Sequence, residues 1–405
     1  MDRVILHSDI NSCYASVERL YRPSLEGRPF AVCGSQEARH GIVLAKDETA
    51  KRAGVKTGMA IWQARQLCPE LLIVEPHFDR YAKYSEMVRE IYAEYTDLCE
   101  PFGIDESWLD ITNCLACTDP RRTADEIRRR VKNETGLTVS VGVSWNKVLA
   151  KLGSDYKKPD AVTVIDREHF RSMVWGLPAS DMLMVGRSTR LELARMGIQT
   201  IGELARTDPE LLRLRFGKGG TVLWRYANGL DDSRVRRAGE EEPPQSVGNS
   251  VTLARNIETE RQARETLLML AESVSARLRR QKLRCRTVEV ALRSEELKWT
   301  THRMRLRYAT DVTVSLSAFG LELVRQSHDF SSPLHSIGLR ALELVHADED
   351  EQIDIFIDYV NLNKQRSIDA AVDGIRAKYG AESIQRACLL GDPTAANLAF
   401  CSLPD

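Results

Sequence analysis

Ile104-Asp105-Glu106-Ser107-Trp108-Leu109-Asp110 sets two adjacent carboxylates inside a run of apolar and aromatic residues. Residues 104–112 read as a strand, or as a hairpin around Asp105-Glu106. Upstream, Val4-Ile5-Leu6 has the β-branched, apolar look of a buried strand, with Asp9 just beyond it. Downstream, a charged helix over 123–135 ends at Gly136 and is followed by a strand over 138–143. Between them, residues 81–98 place Tyr84, Met87, Val88, Ile91 and Tyr95 on one helical face. Strands and helices alternate, so the spacing predicts an α/β or α+β core with three acids beside its strands. Clustered carboxylates repel one another and resist desolvation. A divalent cation removes both objections, and hard oxygen donors suit Mg²⁺. Two such ions can activate an attacking hydroxyl and stabilise a leaving pyrophosphate. Taken singly, each acid also reads as a turn cap.

The remaining pattern extends this core. Helix is expected over 15–20 and 50–53, strand over 29–33 and 41–45, and short helices with Gly punctuation over 166–230. Residues 231–245, with adjacent prolines at 243 and 244, read as an exposed linker. Strand candidates at 247–253, 288–292, 304–308 and 336–342, with a helix over 258–283, form a second α+β domain. A last helix is expected from a Ser367 cap to Gly380, with Ile368, Val372, Ile375 and Tyr379 aligned.

The chain has 405 residues, length enough for two or more domains. No apolar stretch approaches the roughly 18 residues that a membrane span needs, and Met1-Asp2-Arg3 lacks the features of a signal peptide. A cytoplasmic protein without membrane contact is expected. Nine scattered cysteines point to free thiols, Cys114 and Cys117 among them as loop residues. The net charge is −1, yet residues 277–307 hold eleven cations against Glu289, Glu295 and Glu296. Local sign decides what a surface attracts within about 8 Å. This stretch therefore reads either as a solvated face or as a surface for a nucleic-acid backbone.

Four blocks in order carry a resemblance. Ser8-Asp9-Ile10-Asn11-Ser12-Cys13-Tyr14-Ala15 resembles the first motif of the Y-family DNA polymerases, and Ile104 to Asp110 resembles their second. Ser140 to Lys151 with Lys158-Pro159 is similar to their third, and Gly54 to Met59 fits their finger region. The resemblance implies an α+β multidomain right-hand polymerase. Its parts would be a palm (1–11 and 77–166), fingers (12–76), a helical thumb (167–230), a linker (231–245), a little finger (246–346) and a tail (347–405). It further implies that Asp9, Asp105, Glu106 and the backbone carbonyl of Ile10 hold two Mg²⁺ ions. Tyr14 falls where the family keeps a steric gate against ribose. Lys51 and Lys158 fall where the family contacts the incoming triphosphate, with Arg52 a solvated neighbour. Departures are Asn11 for a common acid, Cys13 for a common aromatic, and Glu48 for a tyrosine that touches phosphate.

Residues 184–205 resemble the family's helix–hairpin–helix, which brings Gly186, Ser188 and Thr189 toward DNA phosphates. Arg279, Arg280, Lys282, Arg284, Arg286, Arg303 and Arg305 fall in the little-finger region as DNA contacts. Gln352-Ile353-Asp354-Ile355-Phe356 looks like the peptide by which bacterial polymerases dock on the sliding clamp, through Gln352, Ile353, Ile355 and Phe356. The expected partners are primer-template DNA, deoxynucleoside triphosphates and the clamp, with the polymerase itself a monomer. No segment is left for a proofreading nuclease. Another two-metal phosphoryl enzyme and a non-catalytic DNA scaffold remain as rival classes.

Overall fold

Six consecutive buried residues make β1 (Ile5–Ile10) a strand that must be covered on both faces. In the computed structural model, which describes residues 3–35, 41–114, 117, 119–240, 242–349 and 356–389, β1 leads through a tight turn into α1 (Cys13–Tyr21). A small sheet follows, made of β2 (Phe30–Cys33), β3 (Val43–Lys46) and β4 (Leu72–Val74) in the order β3-β2-β4. Asp47 caps the short helix α2 (Glu48–Arg52) by accepting from the backbone N–H groups of Thr49 and Ala50, and it also accepts from Phe30 N. Helix α3 (Ile61–Leu67) completes this lobe.

The chain then returns through α4 (Phe78–Ala93), β5 (Cys99–Pro101), β6 (Glu106–Asp110), α5 (Pro120–Thr135), β7 (Val139–Ser144), α6 (Lys147–Tyr156) and β8 (Val162–Val164). The five-stranded sheet runs β5-β6-β1-β7-β8. Leu6 and Ile10 pack with α4 and α5, through Val88, Ile91, Tyr92, Ile127 and Val131. The alternate residues face α6: Ile5 clusters with Trp108 and Ala150, and His7 bonds Ser154. Gly142 permits that contact, since a Cβ there would lie 1.9 Å from the Ala150 carbonyl oxygen. Helices α7 (Phe170–Val174), α8 (Arg187–Arg195), α9 (Ile201–Arg206), α10 (Pro209–Phe216) and α11 (Lys218–Ala227) share a separate core around Leu193, Ile201, Leu204 and Leu223.

Residues 231–245 are for the most part exposed, as a linker would be, but the stretch up to 238 is tied down at particular residues. Val235 is 2% exposed and packs with Ile5 and Trp108. Arg236 reaches the buried Glu100 at 2.9 Å, Ala238 N donates to Asp97 O, and Arg3 donates to the carbonyls of Asp231 and Ser233. Arg236 and Arg237 find acids more than a hundred residues upstream, whereas Arg234 pairs with Glu240 and Asp232 with Arg225 close by.

The described chain falls into two compact units, one over 1–34 and 42–241 and one over 35–41 and 242–405. The second holds an antiparallel sheet ordered β11-β10-β12-β9, from β9 (Ser246–Ile257), β10 (Leu283–Ser294), β11 (Trp299–Thr310) and β12 (Leu334–His346). Helices α12 (Glu260–Arg280) and α13 (Thr313–Ser327) join one face of this sheet in a core around Leu267, Val274, Val288 and Leu339. Its strands outrun the apolar segments that announced them, because the other face is polar and cationic.

The last helix, α14 (Tyr359–Tyr379), begins eight residues before Ser367. Asp358 caps it, while the Ser367 hydroxyl donates to Asn363 O inside the helix. The aligned apolar face is not its anchor, since Ile368, Ile375 and Tyr379 are exposed. Charge holds α14 instead: Asp369 and Asp373 take Arg279, and Arg376 and Arg386 take the buried Glu272. Cys114 and Cys117 are joined as a disulfide, against the free thiols expected, while six other described cysteines are free. No described helix is long and apolar enough to cross a membrane.

Candidate active site

Antiparallel register sets the centre of the site. Asp9 of β1 lies directly across from Glu106 of β6, and residues paired in this way share one face of the sheet. Asp105 adjoins them, and its carbonyl accepts from Ile10 N at 2.9 Å. Asp9 and Asp105 line a cleft of about 390 Å³ with Ile10, Asn11, Ser12, Cys13, Tyr14, Leu44, Lys46, Glu48, Lys51, Thr57 and Lys158. The ends of two interior strands, one turn and the small sheet of the neighbouring lobe thus meet in one place.

The electrostatics follow from burial. Asp9 holds its proton well above the usual carboxylate range, because burial and the negative Glu106 outweigh Lys158, whose Nζ lies 2.8 Å from Oδ2. Burial and Glu106 raise Asp105 as well. Burial would also raise Glu106, but contacts from His7 and Lys151 hold it below its ordinary value. His7 Nε2 is 3.3 Å from Glu106 Oε2, and its Nδ1 is 2.8 Å from Ser154 Oγ. Lys151 pairs with the same Glu106 oxygen.

The donor set suits a hard divalent cation: three carboxylates, two of them paired across adjacent strands and two raised by burial and by Glu106. As the side chains stand, no group of three His, Cys, Asp or Glu residues among the described residues forms an ion cage. Lysine ammonium groups rest on Asp9 and Glu106 instead. An arriving cation therefore competes with tethered ones.

Tyr14 stacks on Tyr81 at 4.2 Å and meets the Phe78 ring edge-on. The Tyr81 hydroxyl donates to Glu18, a fully buried carboxylate that also contacts His77 and Arg80. Asn11, the departure in the first motif, is a structural tie. Its amide donates to Ser140 Oγ, and its carbonyl oxygen accepts from Thr138 and from Asp160 N, fixing the loop that carries Lys158. Lys51 pairs with Glu48 at 3.2 Å, and Arg52 is exposed. His7, Lys46, Thr57 and Lys151 were assigned no role from sequence. Lys151 lies in a quoted motif, but only tertiary placement shows that it faces Glu106.

The sites expected to meet DNA lie elsewhere. Gly186 precedes α8, and Ser188 and Thr189 occupy its first turn; the hairpin passes Gly197 into α9, capped by Thr200 with Glu203. In the second unit, the register puts Arg303 and Arg340 across from Glu289 and Arg305 across from Thr287, on the sheet face away from α12. Glu289 is buried and pairs with both Arg303 and Arg340. Arg340, which the sequence reading passed over, thus joins that face. Arg280 and Lys282 are exposed at the end of α12, and Arg284 and Arg286 are half-buried on β10. Arg279 does not join them, because its guanidinium is engaged by Asp369 and Asp373 of α14. Gln352, Ile353 and Ile355 lie outside the described residues, and Phe356 is exposed.

Comparison with known proteins agrees with this arrangement. The model of the impB/mucB/samB family matches residues 8–155, and that of the same family's C-terminal domain matches 244–355. DNA polymerase IV of Acetivibrio thermocellus is 44% identical over 393 residues, 97% of this chain and 98% of that protein. DNA polymerase IV 1 of Bacillus subtilis (strain 168) is 36% identical over 96% of this chain and 93% of its own length. Among solved structures, the Y-family DNA polymerase chimera Dbh-Dpo4(243-245)-Dbh superposes with a TM-score of 0.75. It is 22% identical, and the match covers 85% of this chain and 99% of that one. That likeness is one of fold, the right-hand polymerase architecture. On these grounds the chain belongs to the impB/mucB/samB family and is a Y-family, DNA-directed DNA polymerase similar to the bacterial polymerases IV.

Proposed function

We propose that this polymerase extends primer 3′ ends past template lesions, with low fidelity and without proofreading. One observation carries the reading: Asp9 and Asp105 line a cleft walled by Tyr14 and lined by lysines, and Glu106 lies across from Asp9 in register. Asp9, Asp105, Glu106 and the Ile10 carbonyl are the residues that would hold two Mg²⁺ ions. Bound there, such ions supply activation of the primer hydroxyl and stabilisation of the leaving pyrophosphate. Lys51 and Lys158 contact the triphosphate with charge-assisted hydrogen bonds. Tyr14, held by Tyr81, excludes a ribose 2′-hydroxyl.

Residues 1–11 and 77–166 act as palm, 12–76 as fingers, 167–230 as thumb and 246–346 as little finger. Gly186, Ser188 and Thr189 offer a helix N-terminus to the DNA backbone. Arg303 and Arg305, with Arg280, Lys282, Arg284 and Arg286, supply an affinity that falls with salt. The peptide ending at Phe356, within the tail over 347–405, docks the monomer on a sliding clamp.

Primer extension on a primed template, with Mg²⁺ and deoxynucleotides, tests the reading. The wild type should extend the primer, and an Asp105→Ala, Glu106→Ala variant should lose activity by at least about 1,000-fold, as removal of groups that stabilise a transition state does. A folded, DNA-binding wild type that extends nothing would put the scaffold reading in its place. Nucleotide-independent DNA degradation would favour a nuclease.

A further inference from the structure

Three ammonium groups line the cleft, those of Lys46, Lys51 and Lys158. Two are already matched. Lys158 lies 2.8 Å from both Asp9 and Asp155, and Lys51 lies 3.2 Å from Glu48. Lys46, the last residue of β3, is bonded differently. Its Nζ donates to the Thr57 hydroxyl at 3.0 Å, a neutral partner. Burial and the neighbouring Lys51 disfavour its charge more than Glu48 favours it, so an anion entering the cleft would gain more from Lys46 than from a cation already paired.

We infer that Lys46 is a contact for the triphosphate of the incoming nucleotide, an assignment that rests on the polymerase reading and extends it. The Thr57 hydroxyl accepts from Lys46, so its own proton is free for a phosphate oxygen. Lys46 reaches the cleft from the small sheet, whereas Lys158 reaches it from the loop after α6. The polyanion is thereby held from two separately folded elements. Arg52, exposed and absent from the cleft lining, takes no part.

Single-turnover incorporation across a range of deoxynucleotide concentrations tests this, with wild type, Lys46→Ala, Lys46→Arg and Arg52→Ala. Loss of one charge-assisted contact predicts an apparent nucleotide affinity about tenfold weaker in Lys46→Ala. Its maximal rate should stay within about threefold, since the lost contact is made in the bound ground state as well as the transition state. Lys46→Arg should recover most of the affinity, and Arg52→Ala should match wild type. Binding of a non-hydrolysable triphosphate to the enzyme–DNA complex should weaken by the same factor while affinity for primed DNA holds. If Lys46→Ala fails to fold, Lys46→Gln carries the same expectation. Unchanged nucleotide affinity in an active enzyme lacking the Lys46 charge would overturn the inference alone. A folded wild type that extends no primer would overturn the polymerase reading, and this assignment with it.

Discussion

Asp160 shows how one side chain can serve a site without lining it. Its backbone N–H is held by Asn11, and its carboxylate grips Arg128 at 2.6 Å and Lys132 at 2.8 Å. Burial would raise this carboxyl, but the two cations hold it below the usual range. A depressed carboxylate stabilises the fold above its unfolded pKa, and that contribution is lost as pH falls through the folded one. Asp160 has a positive φ that asparagine also tolerates, so Asp160→Asn isolates the charge. Urea denaturation should find the variant about 1 kcal/mol less stable at pH 7, with the difference shrinking below about pH 4. A pH-independent difference would mean that the ion pairs are not its source. At this scale the sequence was informative where chemistry is local. Acids next to apolar strands announced themselves, whereas Lys46 and His7 needed the register of β3 and β1 to acquire meaning.

Among the elements, α6 against β7 tolerates the least change. Gly142→Ala puts a methyl group 1.9 Å from the Ala150 carbonyl and 2.4 Å from Ser154 N, both of them backbone atoms that cannot rotate away. The expected cost is at least about 3 kcal/mol, the upper range for overpacking. Because Ser154 and Lys151 ride on α6, primer extension should fall together with stability. A denaturation midpoint equal to wild type would show that the helix can shift cheaply. Periodicity placed the longer strands and helices of the first core and α12 to within a few residues, but it passed over α3, α6 and α13. It shortened the strands of the second sheet, because cations on an exposed face hide the alternation. It started α14 late, because Ser367 mimics a cap while Asp358 performs it.

For the molecule as a whole, the features least visible in sequence are charge pairs between distant segments. Arg279, in a basic run that suggested DNA, serves α14, and Glu272 binds arginines more than a hundred residues on. Residues 231–238 are likewise tied to the first unit, through Val235, Arg236 and Ala238. Seen as a leash, on the function proposed above, the chain beyond those ties would set the effective concentration at which the second unit finds a DNA already held by the first. Effective concentration falls roughly as the −3/2 power of tether length, so releasing residues 231–238, which would about double the tether, lowers it about threefold. Val235→Asp with Arg236→Ala should therefore weaken binding of primed DNA by about that factor, measured by fluorescence anisotropy, with each unit's own affinity intact. Unchanged binding would show that the leash does not limit capture. A valine against a tryptophan would thus set how readily the proposed second grip closes.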